Sequence, residues 1–168
     1  MSGKTSYAPE FPTEEQLRAY GDFAFLYLRS DHHRKVPMEA ARLAIQPPID
    51  RMQFHLFRFE GVPRYGVTWA FLSPEAERKL LTQAALLPAE WNSGPQMWVI
   101  EIIAPYGQGT AAQVVKWLKN NLGENVSSVR YMRVDAQHKT RKILEISRIK
   151  GTRWGARYIP VSTLINGE

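Results

Sequence analysis

The chain has 168 residues, 44% hydrophobic and 23% charged, which suits one globular domain (1–168) around a single core. It has no cysteine, excluding disulfides, thiolate nucleophiles and Cys-ligated metals, and no apolar run long enough to span a bilayer. The net charge of +6 is unevenly placed: residues 1–129 carry 13 basic and 13 acidic side chains, while Arg130 to Arg157 carries nine basic against two acidic, a field for an anionic partner or a solvated surface.

Residues 1–10 are polar, with Gly, Ser and Pro, and are expected to be disordered. The opening stretch lacks the apolar core of a signal peptide, which points to the cytoplasm. Thr13 and Gln16 form a capping box, and Leu17, Tyr20, Phe23, Ala24, Tyr27 and Leu28 follow at helical spacing. The helix runs out near Arg29-Ser30-Asp31. A second helix is expected from Pro37, with Pro47-Pro48 stopping it.

Gln53 to Phe59 alternates as a strand does, and Glu60-Gly61 turns the chain into Tyr65 to Leu72, a hairpin partner. Ser73-Pro74-Glu75 opens a helix expected to reach Leu87. Met97 to Ala104 predicts a buried central strand, broken by Pro105 to Gly109. Thr110 with Gln113 predicts a second capping box for a helix ending near Gly123. Strands are expected at Ser128 to Val134 and Lys142 to Arg148, joined by the turn-like Asp135 to Lys139; the segment after Gly151 carries no assignment. The order argues a mixed α/β layer with helices over one sheet.

The strand, glycine loop and helix over residues 97 to 123 could hold an anion or a developing oxyanion, or be only a tight turn. Of four histidines, His55 reads as a packing residue and His138 as exposed, and His32-His33 sits in a run that spacing alone reads as a solvated charged loop. No HExxH or similar spacing supports a metal, and GxSxG, Walker A and GxGxxG are missing. Nucleic-acid binding, raised by the basic charge, finds no matching motif.

Several ordered segments change these odds: His33-Arg34-x-x-Pro37, Trp69-Ala70-Phe71-Leu72-Ser73, Trp91-Asn92-Ser93-Gly94, Trp98 to Tyr106 (WVIEIIAPY) and Arg133-Val134-Asp135. Together they resemble the toxin-activating lysine acyltransferases, which fatty-acylate internal lysines of RTX protoxins. The likeness covers roughly residues 20 to 150. It implies a GNAT-like fold, a central mostly antiparallel sheet flanked by helices. It also implies an acyl carrier protein whose phosphopantetheine thioester is the donor, no tightly bound cofactor, and a protoxin or related polypeptide as acceptor. Family members can pair as homodimers, though no interface is legible here. No nucleic acid or stable membrane insertion enters this reading.

By the same resemblance His33, directly before Arg34, is the essential histidine and Ser30 helps to place it. The backbone around Trp98, Ala104, Gly107, Gly109 and Thr110 would face the donor, and Arg130, Arg133, Lys139, Arg141 and Lys142 would suit an acidic carrier protein. Two departures stand out. An aspartate implied after W-x-S-G is Pro95 here, and an asparagine common in the second helix is Ala44. Either the reaction runs without that carboxylate, or another acid substitutes, or the chain only binds carrier or acceptor. Glu101 is the substitute to test, although six extended residues, roughly 20 Å, separate it from Pro95.

Overall fold

A computed structural model describes residues 10–82, 84–107, 110–134, 140–151 and 153–166, with the backbone alone at 134, 140 and 141. Helix α1 is Glu14–Arg29. The Thr13 hydroxyl accepts from the Gln16 amide at 3.2 Å, and the Gln16 side chain accepts from the Thr13 amide at 2.8 Å. Its buried stripe is Ala19, Phe23, Leu26 and Tyr27. Leu17 and Leu28, expected to face inward, are exposed. Each residue turns the helix by about 100°, so a stripe centred on Phe23 and Leu26 leaves both outside it.

Helix α2, Met38–Asp50, runs through the proline pair expected to stop it. A proline loses its donor and keeps its acceptor. The Pro47 and Pro48 carbonyls take bonds from the Arg51 and Gln53 amides at 3.2 and 2.8 Å, and both rings are buried, which offsets the lost donors.

Six strands follow in spatial order β1 to β6: Phe54–Phe59, Val62–Leu72, Gln96–Ile103, Ser128–Val134, Thr140–Lys150 and Arg153–Ile159. Every neighbouring pair is antiparallel except β3 with β4. Glu60 and Gly61, at φ 49° and 79°, supply the two positive angles of a tight hairpin turn. Helix α4, Thr110–Asn121, is the crossover that a parallel pair requires. It covers one sheet face, its Val114 and Leu118 packing with Val67, Met97, Val99 and Val129. Helices α1, α2, α3 (Pro74–Leu81) and α5 (Val161–Asn166) cover the other. This is a GNAT-like α+β architecture with a mostly antiparallel open sheet.

Three further expectations change. Helix α3 ends at Leu81, not Leu87, and a short 3-10 turn, Pro88–Trp91, follows. Thr110 is the first residue of α4 rather than its cap: its hydroxyl donates to the Gly107 carbonyl, while Gln113 accepts from Tyr65. Strand β6 and helix α5 fill the segment left unassigned.

The Trp91-Asn92-Ser93-Gly94 element braces the start of β3. Trp91 is buried, the Ser93 hydroxyl donates to the Glu90 carbonyl and accepts from the Ser73 amide, and the Gly94 amide donates to the Phe71 carbonyl. A Cβ on Gly94 would lie 2.4 Å from the Leu72 carbonyl oxygen, a backbone atom that cannot swing away. Gly94→Ala is therefore expected to cost about 1–3 kcal/mol, read as a lower urea midpoint at unchanged slope.

Candidate active site

Strand β3 is irregular where it matters. Thr68 of β2 pairs with Glu101 and Trp69 pairs with Val99, so Ile100 is an extra residue. Strict alternation from Met97 would put Glu101 on the α4 face beside Val99. The bulge shifts the phase: Trp98 and Ile100 pack with α3 and α5, Ile102 packs on the α4 side, and Ile103 lies under α1. Glu101 thereby turns toward the end of α1.

There it meets three side chains. Ser30 closes α1, its amide donating to the Leu26 and Tyr27 carbonyls, and a 3-10 turn over His33–Lys35 brings His33 back against the helix end. The Ser30 hydroxyl lies 2.6 Å from His33 Nδ1, and His33 Nε2 lies 2.6 Å from Glu101 Oε1. The Tyr27 hydroxyl donates to Glu101 Oε2 at 2.8 Å. An ionised carboxylate only accepts, so Nε2 carries the imidazole proton and Nδ1 is left to accept from Ser30. The His33 amide, 3.4 Å from the Ser30 oxygen, occupies an acceptor site on that hydroxyl and leaves its proton for Nδ1. Every donor has an acceptor in one consistent direction.

The His33 side chain is 12% exposed and that of Glu101 22%. Burial first, and then the Glu101 charge, push the Tyr27 phenol far above its usual range, so it stays a neutral donor. His32 is exposed, its ring edge-on to His33 at 4.9 Å. His55 stacks on Trp117 at 4.1 Å, and burial, then the Arg58 charge, lower its pKa.

Beside this cluster the sheet opens. Strands β3 and β4 pair only over Met97 to Val99 and Val129 to Tyr131. Glu101 lies two residues beyond the last pair. Between the unpaired ends and α4 runs a groove of about 420 Å³ lined by Val99, Ile102, Ala111, Ala112, Val115, Tyr131, Arg133, Leu144 and Ile146, among others. Its wall is apolar apart from Tyr131 and Arg133, suited to a hydrocarbon chain.

Other sequence-level candidates fall elsewhere. Pro95 is exposed at the opposite end of β3, beside the Gly94 brace, so the position taken as a lost acid is not at the His33 cluster. Trp98 is fully buried on the α3 side, its indole donating to Glu77 at 2.6 Å, and its side chain belongs to the core rather than to a ligand. Arg130 is likewise withdrawn from any docking role, since it spans Glu77 and Glu145 at 2.5 and 2.9 Å. Arg133 and Lys142 are cross-strand partners at the surface, one donating to the Tyr158 hydroxyl and the other above its ring. Ala104, Gly107 and Thr110 border the β3–α4 turn. Gly109, Lys139, His138 and the side chain of Arg141 lie outside the described residues. Among those described, no group of acidic or histidine side chains could hold a metal ion, and no helix is long and apolar enough to cross a membrane.

Tyr27 is the member that sequence reasoning missed. It was placed on a core stripe, and its position three residues before Ser30, one turn of helix away, was the available signal.

Comparison with known proteins gives the chain a family. Residues 12–147 match the model of the RTX toxin acyltransferase family. The chain is 34% identical over 126 residues to the RTX-I toxin-activating lysine-acyltransferase of Actinobacillus pleuropneumoniae, covering 74% of this chain and 71% of the relative. It is 31% identical over 130 residues to a protein-lysine myristoyltransferase of Escherichia coli, covering 77% and 74%. An uncharacterized protein of Synechocystis is 31% identical over 137 residues, covering 80% and 90%. This chain belongs to the RTX toxin acyltransferase family.

Proposed function

We propose that this chain moves a fatty acyl group from the thioester of an acyl carrier protein to internal lysine side chains of a protoxin-like polypeptide, within the cytoplasm. The observation that carries the reading is the Ser30–His33–Glu101 relay at the point where β3 and β4 cease to pair. In this reading the thioester arm enters between the unpaired ends of β3 and β4, and the adjoining groove offers the acyl chain an apolar bed. Arg133, which lines that groove, and its cross-strand partner Lys142 suit an acidic carrier.

A lysine with a reference pKa near 10.4 costs roughly 4–5 kcal/mol to hold neutral at pH 7, so its remaining proton must be taken as it attacks. The amine nitrogen bonds to the thioester carbon, and backbone amides on the unpaired edge of β3 or at Gly107 receive the oxyanion. The amine proton passes to the Ser30 oxygen as the Ser30 proton passes to His33 Nδ1. Glu101 holds the imidazolium. Collapse of the intermediate expels the thiolate, which takes the proton back from His33, leaving an amide and the carrier thiol.

The test is to incubate the chain with fatty-acyl carrier protein and a lysine-bearing acceptor and to read the acceptor's mass. Transfer by the wild type is expected, falling on the order of 10²-fold in Glu101→Gln, with Pro95→Asp unchanged. Equal turnover by wild type and Glu101→Gln would remove the relay from the mechanism. Tight carrier binding with no product from the wild type would make the chain a binding protein instead.

A further inference from the structure

Acyl transfer through the relay uses Ser30, His33 and Glu101 and gives no task to Tyr27, the fourth polar member of the cluster. Yet Tyr27 touches the relay twice. Its hydroxyl donates to Glu101 Oε2 at 2.8 Å, and its ring lies against the His33 ring with centroids 4.8 Å apart and planes at 57°. The residue is 7% exposed and sits in the last turn of α1, with Ser30 as that helix's cap. One helix end therefore presents both the partner of His33 Nδ1 and the partner of the carboxylate on His33 Nε2.

The consequence is directional. Glu101 could turn its carboxylate toward water, and His33 could then offer either nitrogen to the substrate. A neutral phenol that only donates to Oε2 removes that freedom. With Oε2 committed, Oε1 faces Nε2 and fixes the proton there. We propose that Tyr27 is a positioning residue: it locks Glu101 onto Nε2 of His33 and so selects Nδ1, behind the Ser30 hydroxyl, as the nitrogen that receives the proton. The inference rests on the acyl-transfer reading and adds to it which end of the imidazole works and what decides the choice.

Tyr27→Phe keeps the ring against His33 and removes one donor. With carrier protein charged with a fatty acid, kcat is expected to fall about tenfold while KM for the charged carrier stays within about twofold, since the lost bond acts on geometry in the transition state rather than on donor binding. In a Glu101→Gln background, Tyr27→Phe should cost nothing further, because its route to His33 is already broken. A second readout is independent of turnover. The Nε2 proton of His33, bonded to Glu101 at 2.6 Å, is expected downfield and slow to exchange in the wild-type proton NMR spectrum and to broaden in Tyr27→Phe while the rest of the folded spectrum is kept. Unchanged kcat with an unchanged imidazole proton signal overturns the proposal. So do losses that multiply in the double variant, which would mark a packing role. A wild type that transfers nothing but shows the sharp imidazole proton, lost in Tyr27→Phe, sinks the acyl-transfer reading and leaves the positioning role standing.

Discussion

His33→Ala is expected to abolish acyl transfer, with a loss on the order of 10²–10⁴-fold, whereas His32→Ala keeps most of it. The two rings are neighbours in sequence and lie edge to face, so the pair separates chemistry from local charge. Only His33 has a nitrogen bonded to Ser30 and the other bonded to Glu101; His32 stands exposed on the outer side of the turn. Acceptor mass gain over time, measured with native acceptor and charged carrier, gives both rates. Full activity in both variants, or equal loss in both, would remove the imidazole from the reaction.

The largest effect on stability should come from Arg130→Ala. Arg130 lies between Glu77 of α3 and Glu145 of β5, with Arg157 on the far side of Glu145 and the Trp98 indole on Glu77. The side chains of Glu77 and Glu145 are 12% and 6% exposed. Removing the arginine leaves Glu77 with the indole and Glu145 with Arg157 as partners, both largely shielded from water, at a cost of about 3–5 kcal/mol. Arg157→Ala should cost much less, since that guanidinium is mostly exposed. The same network sets a pH dependence. Burial pushes the Glu145 carboxyl up, but hydrogen bonds and charge from Arg157 and Arg130 outweigh it and hold the carboxyl below its ordinary 4.5. The unfolded chain then takes up that proton first. The contribution is whole above the ordinary value and fades as the pH drops through the folded one. Urea midpoints between pH 6 and about 3 should fall in the wild type and be flatter in Glu145→Gln.

Much of this was legible in advance, for reasons tied to local chemistry. Thr13 with Gln16, Ser73 with Pro74 and Glu60-Gly61 each act within four residues, so sequence reveals them directly. Ser30 and His33 are three apart, and their motif drew attention to both. Glu101 is legible as an acid but not as a neighbour of His33: it does lie far from Pro95, and the histidine it bonds comes from the other end of the strand. The bulge at Ile100 could not be seen, because an apolar run such as WVIEIIA shows no break in pattern when its phase slips. Arg130 looks like a docking residue in the sequence because counting charge along the chain cannot tell a guanidinium matched to carboxylates of other elements from one facing solvent. Tyr27 was hidden by its own amphipathic character, a ring that packs and an oxygen that does not.

The extra residue in β3 means that the acid is placed by how the strand is paired and not by its letter alone. Deleting Ile100 would join Val99 directly to Glu101 in regular pleating and leave the carboxylate on the α1 side. Keeping Ile100 but pairing it in register would send the carboxylate through to the side where α4 lies, so a relative with every functional letter and no kink there would fold into the same layers and have no working site.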